Sequence, residues 1–202
     1  MELKDLFKEE IEEKKRGKEI RKYLIGESIT TIKTNKEYSL IINEIKRQNE
    51  KLEKRRLKLE LVYKSSRDGH TSKDFHYYCD NKEQTVSIIK TKENNIFGGF
   101  LNIAWKDKGG YAYDKKSFLF SFNKNKIFKN NNSSAANFNK DEGPWFANAI
   151  NIFDNFEDSN KHNTHSISTY KNSWNGFTED YELNNGYEYF DIQEIEVFKF
   201  IT

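Results

Sequence analysis

The sequence contains a single cysteine, Cys79, in 202 residues. No intramolecular disulfide can form, and a chain so poor in cysteine suits a reducing compartment. There is one proline and one methionine. No apolar run approaches the length needed to cross a bilayer, and the start, Met1-Glu2-Leu3-Lys4-Asp5, lacks the apolar centre of a secretory signal. These absences lead to the expectation of a cytoplasmic protein without membrane insertion. Neither sign of charge dominates: 34 Lys and Arg against 32 Asp and Glu leave a net charge of +2. Such a surface has no global field to hold a polyanion, so general nucleic-acid binding is not suggested. What the chain does have is rings, 16 Phe and 11 Tyr, which favour strands and a ring-filled core. The length allows one sizeable core with an appendage.

The clearest local signal is Thr85 to Trp105, which reads as a hairpin. Val86, Ile88 and Ile89 are β-branched, Lys92 to Asn95 is a polar turn, and an apolar run returns from Ile96. Gly98 and Gly99 sit inside that second strand, where glycine is costly unless a ring or backbone must come close. Met1 to Ile25 reads as a charged arm, helical once docked, and a second helix is expected from a cap at Thr34 or Asn35 through residues 35–57. Its seam of Ile41, Ile45, Leu52 and Leu59 is interrupted by Gln48 and Arg55, a broken heptad that offers only a weak coiled-coil dimer. Leu57 to Ser65 alternates as a strand, with Leu59, Leu61 and Tyr63 on one side. A turn at Ser66–Gly69 leads to a short helix from Thr71 to Cys79 that buries Phe75. Lys106 to Lys116 and Asn130 to Gly143 read as loops, the latter mobile. Ser117 to Phe122 with Ile127 to Lys129 reads as a hairpin, and Ala149–Phe153, Ile167–Tyr170 and Thr178–Glu182 as short ordered pieces. Ile192 to Ile201 is apolar on both faces and is expected inside a sheet. Together these elements describe an antiparallel β-sandwich with flanking helices.

In order along the chain stand Tyr63 to Gly69 with its Ser66-Arg67-Asp68-Gly69 turn, Phe75-His76, Cys79-Asp80, Val86 to Lys90, Ile96-Phe97-Gly98-Gly99-Phe100, Phe118 to Ser121, Gly143-Pro144 and Glu194-Ile195-Glu196-Val197-Phe198. This series resembles the TLDc domain over residues 57–202, and over 26–202 when the lead-in helix is included. The resemblance implies a two-sheet β-sandwich, a role in protection from oxidative stress, binding to the vacuolar proton-pumping ATPase, and no accepted catalytic centre. The sequence departs from the pattern at Trp145 to Ala149, where many members carry a glycine-rich run.

The groups able to do chemistry are few. His76 and Cys79 lie three apart on one helix, a spacing that could offer two zinc ligands, but a structural site takes four. They read instead as a buried small hydrophobe, Cys79, beside a partly exposed His76. Ser66, Asp68 and His70 are neighbours across a turn, whereas a catalytic triad gathers distant segments. His162 and His165 read as solvated. Glu188, Asp191, Glu194 and Glu196 form a sheet face or edge that could dock a partner or guard the edge. With few groups able to do chemistry, the expectation is a non-catalytic interaction module without cofactor or metal, which, as the TLDc resemblance implies, binds the proton pump, acting by steric wedging. Two alternatives stand beside it: a regulator whose basic helix, residues 46–58, grips nucleic acid, and a thiol-based enzyme centred on Cys79.

Overall fold

The computed structural model describes residues 31–131, 133–156, 165–168 and 173–201. The expected arm at 1–25 and His162 lie outside the described residues. In chain order the elements are α1 (Asn35–Arg47), β1 (Lys58–Lys64), α2 (Ser65–Asp68), α3 (Ser72–Cys79), β2 (Thr85–Thr91), β3 (Ile96–Leu101), β4 (Tyr111–Tyr113), β5 (Phe118–Ser121) and β6 (Lys126–Asn130). There follow β7 (Ser134–Asn137), β8 (Ile150–Asn151), β9 (His165–Ile167), β10 (Trp174–Asn175), β11 (Tyr189–Phe190) and β12 (Ile192–Ile201).

Seven strands form one sheet in the order β1-β12-β2-β3-β5-β6-β10, with every pair antiparallel. The hairpin read from the sequence, β2 with β3, lies at its centre. The C-terminal strand is interior, as its two apolar faces require, between β1 and β2. One face of the sheet presents Val86, Ile88, Phe100, Phe118, Phe120, Phe198 and Phe200, and the apolar side of α1, Ile41, Ile42 and Ile45, packs there. The other face presents Ile89, Phe97, Leu119, Ile195 and Val197 to a layer made of two small sheets, β11-β9-β8 and β4-β7, and of α3. The protein is thus mostly β and antiparallel, a sandwich whose second layer is split.

Several boundaries differ from the sequence expectation. The lead-in helix ends at Arg47, not near residue 57. Thr34 caps it in a capping box with Glu37, but beyond Ile45 the next seam positions are Gln48 and Asn49, and Asn49 leaves the helix in an extended conformation to cap a 3-10 turn, Glu50–Leu52. Lys51, Lys54, Arg55 and Arg56 therefore stand on an exposed turn, so the basic helix 46–58 does not exist as such. The seam from Ile41 to Leu59 is likewise not one helix. In β1 a bulge between Leu61 and Tyr63 moves Tyr63 to the face opposite Leu59. The stretch 130–143, expected to be mobile, contains β7, whose Ala135 and Ala136 are fully buried. The strand expected at Thr178–Glu182 is absent: Glu182 starts a 3-10 turn and holds the Thr178 N–H at 2.8 Å and the Lys126 ammonium at 2.6 Å.

Candidate functional site

The residues of the Ser66-Arg67-Asp68-Gly69 turn are brought against the end of the sheet by two glutamates of β12. Glu194 accepts from Ser65 Oγ (2.6 Å), from Ser66 N–H (3.0 Å) and from Ser66 Oγ (2.6 Å), while Ser65 Oγ accepts from Ile195 N–H. Burial pushes the Glu194 carboxyl up, but these bonds and the Lys64 charge outweigh it and hold it below its ordinary value. Glu196, two positions on and on the same side of the strand, is completely buried. It accepts from Thr31 N–H (2.6 Å), Thr31 Oγ1 (3.1 Å) and Lys64 Nζ (3.0 Å), yet burial prevails and its carboxyl lies above the usual range. These acids were expected on a docking face or a guarded edge. They are instead internal ties between β12, β1, α2 and the chain at Thr31, because Lys64 and Thr31 supply donors on the buried side.

The turn itself is a knot of backbone bonds. Asp68 accepts from Lys64 N–H at 2.8 Å and pairs with Arg67, and Tyr63 donates its hydroxyl to Gly69 O. Gly69 has φ +115°, and a Cβ there would lie 2.3 Å from the Asp74 carboxylate, so only glycine fits. Asp74 is in turn fixed by the Thr71 hydroxyl in the capping box of α3. Ser66 Oγ is bonded to Glu194, and Asp68 to Lys64 N–H and Arg67, so the Ser66 hydroxyl and the Asp68 carboxylate are engaged outside any triad; the His70 carbonyl accepts from Phe156 N–H.

On α3, Phe75 and Cys79 are completely buried, and burial pushes the thiol well above its ordinary range. A buried neutral thiol is a poor nucleophile and a poor oxidant trap. His76 is buried too, a correction to its expected partial exposure. Its Nδ1 lies 2.8 Å from Asp80 Oδ1, and its Nε2 lies 3.0 Å from Asn139 O and 3.1 Å from Glu142 O. The imidazole thereby pins α3 to the loop before Gly143. Gly143 is there for closeness, since a Cβ would press on Ile152 and Phe156, and the buried Pro144 follows it. Among the described residues no group of three or more His, Cys, Asp or Glu could hold a metal.

Gly98 and Gly99 do admit rings. Phe146 packs over Gly99, and Phe120 lies on the other face beside Gly98. Phe146 also meets Trp105 edge to face, and Trp174 donates its indole N–H to Ala147 O at 2.8 Å. The stretch Trp145 to Ala149 is therefore built into the core at Phe146 and Ala147. His165 is buried and not solvated; its Nδ1 accepts from Phe153 N–H, and burial pushes its pKa down to about 4.

Glu142 is the titratable group that sequence reasoning passed over. Its Oε2 is buried without a hydrogen-bond partner, and burial chiefly pushes its carboxyl up to about 7. Between its ordinary value and about 7 the folded chain holds a proton that the unfolded chain has lost, so this group makes stability fall as pH rises through that window. Glu142→Gln should remove that fall. Unfolding free energies from urea titrations at pH 5 and pH 8 are expected to converge in the variant, by about 1 kcal/mol after discounting for its partial solvent contact. An unchanged difference between the two pH values would contradict this role.

Among the described residues the large hydrophobic side chains left facing water are Ile201 and five tyrosines, Tyr77, Tyr111, Tyr113, Tyr187 and Tyr189. No described helix is long and apolar enough to cross a membrane. No curated protein sequence matches the chain. The model of one family, the TLDc domain, matches residues 27–201, nearly its full length. The motif residues carried by the resemblance thus sit where this fold needs them, at a turn, a capped helix, a ring-admitting hairpin and an interior strand, and the chain belongs to the TLDc family.

Proposed function

We propose that the chain is a non-catalytic TLDc interaction module that serves oxidative-stress protection by binding the vacuolar proton-pumping ATPase and shifting its state of assembly. The observation that carries this reading is the family match over residues 27–201. Two features support it. The groups best suited to chemistry are occupied in the fold: Cys79 is buried, Ser66 is bonded to Glu194, and His76 is bonded at both nitrogens. Of the six exposed large hydrophobic side chains among the described residues five are tyrosines, which are frequent in protein interfaces. The thiol-enzyme alternative loses its exposed nucleophile, and the nucleic-acid alternative loses its helix.

Such a protein acts through differential affinity. A ligand that binds two assembly states equally shifts nothing, so the module must prefer the separated pump parts or the assembled pump. A pull-down from cytosolic and membrane fractions with the full chain as bait tests this directly. Recovery of proton-pump subunits in a salt-tolerant complex is expected; enrichment of other proteins without them would mean that this chain keeps the fold with a different partner.

A further inference from the structure

The stretch 106–116, which reads as a loop in the sequence, contains a strand with an open edge. β4 pairs with β7 on one side, and no other described strand is bonded to its second side. The ladder fixes which backbone groups face out. Phe138 N–H donates to Gly110 O, whereas Asn137 N–H and Ala135 O turn away from β4 to Trp145 O and Ala147 N–H. Backbone groups alternate in an antiparallel pair, so Gly110 and Ala112 face β7 and the N–H and C=O of Tyr111 face the open edge. The side chains alternate as well: Ala112 packs on the core, while Tyr111 and Tyr113 are 59% and 73% exposed.

Charge adds a direction. In the sequence flanking this strand, residues 106–116, Lys106, Lys108, Lys115 and Lys116 are exposed, against a single exposed acid, Asp107. Asp114 does not offset them at the surface, because it is buried and its carboxylate accepts from Asn102 N–H and Lys116 N–H. Lysines alone would blunt an edge against unwanted pairing. Two outward rings on the same short strand add a platform that blunting does not require, and backbone pairing with side-chain pockets is how extended segments add to sheets.

We infer that the β4 edge binds an extended acidic segment of a partner protein as an added strand. The Tyr111 backbone supplies the main-chain bonds, the two tyrosine rings cover alternate side chains of the segment, and the lysines meet its carboxylates. This deepens the interaction reading above by naming a surface, and its test does not involve the proton pump, so either can fail alone.

The test titrates the full chain into a fluorescein-labelled decapeptide of alternating valine and glutamate and follows anisotropy. Saturable binding is expected, absent for the valine and lysine counterpart. Tyr111→Pro removes the outward N–H together with the ring, and Tyr111→Ala the ring alone. The proline variant should bind about tenfold more weakly than the alanine variant, the effect of one hydrogen bond to the segment. Lys108→Glu with Lys115→Glu, at exposed positions, should weaken binding at low salt and decides the matter should the proline variant fail to fold. Absence of binding, equal affinity for both peptides, or affinity untouched by the charge reversals would overturn the inference. So would sedimentation showing a dimer that Tyr111→Pro dissolves without any peptide bound, which would give the edge to a second copy of the chain.

Discussion

Gly98→Ala is expected to destabilise the protein by about 3 kcal/mol or more, at the upper end of what overpacking costs. The added Cβ would lie 1.9 Å from the carbonyl oxygen of Ser87 and 2.9 Å from Phe120 Cζ. The first of these is decisive. Ser87 belongs to β2, the strand hydrogen-bonded to both β3 and β12, and its carbonyl cannot retreat without breaking the ladder at the centre of the sheet. A side chain can rotate away from a new methyl group; a paired backbone cannot. Against a total stability of roughly 5–15 kcal/mol, a loss of this size would leave a large unfolded fraction on mild warming.

The neighbouring glycine supplies the contrast. The three atoms nearest a Cβ at Gly99 all belong to the Phe146 ring, the first at 2.4 Å, and none is backbone. Gly99→Ala should therefore cost less, about 1–3 kcal/mol, and Phe146→Leu added to it should recover part of the loss. Trimming Phe120 beside Gly98→Ala should recover little, because the obstructing atom is Ser87 O. Urea unfolding of the four variants measures this. A Gly98→Ala protein within 1 kcal/mol of the parent, or one rescued by Phe120→Leu, would show that the strand can shift where the ladder argument says it cannot.

What could be read from the sequence followed local rules. The β2–β3 hairpin has β-branched runs around a polar turn, α3 has Thr71 and Asp74 at capping-box spacing, and β12 is apolar on both faces, so each carries its own signal. The fold was less legible where a distant partner decides. The bulge in β1 leaves no trace in the alternation of Leu59, Leu61 and Tyr63, since only the pairing with β12 shows that one residue is extra. β4 and β7 are short, and β7 is Ser-Ala-Ala-Asn; they are strands because they pair with each other across more than twenty residues of chain. The candidate site behaved in the same way. The burial of Cys79 followed from its place on an amphipathic helix, whereas the burial of His76 depends on carbonyls of the loop at Asn139 and Glu142. Glu194 and Glu196 looked like surface acids because nothing within five residues of them announces Ser65, Ser66, Lys64 or Thr31.

Glu196 is also where the second large effect is expected: Glu196→Ala should cost about 3–5 kcal/mol, as breaking a buried ion pair from one side does. The alanine leaves the Lys64 ammonium, mostly buried, without its nearer carboxylate among the described residues, Glu194 lying farther off at 3.6 Å, and strips the Thr31 N–H of its acceptor. That second loss bears on the α1 face of the sheet, because Thr31 is followed by Ile32, which is buried in the same cluster as Phe198 and Phe200. Glu196→Gln separates the two parts. The amide keeps an acceptor for Thr31 and removes the charge that burial already disfavours, so its cost should be well below that of alanine. The raised Glu196 carboxyl gives the sign of the pH effect: the folded chain keeps its proton to higher pH than the unfolded chain, so this group's contribution to stability declines as pH rises through that range. Glu196→Gln should therefore lose less relative to the parent at pH 8 than at pH 5. Lys64→Met combined with Glu196→Leu, which removes both charges at once, should recover much of the alanine loss but not the part due to Thr31. Urea unfolding measures all of these, and hydrogen exchange at the Ile32 amide reports the local tie. If alanine and glutamine cost the same, the charge and not the acceptor is what holds Thr31 and Lys64 to the C-terminal strand.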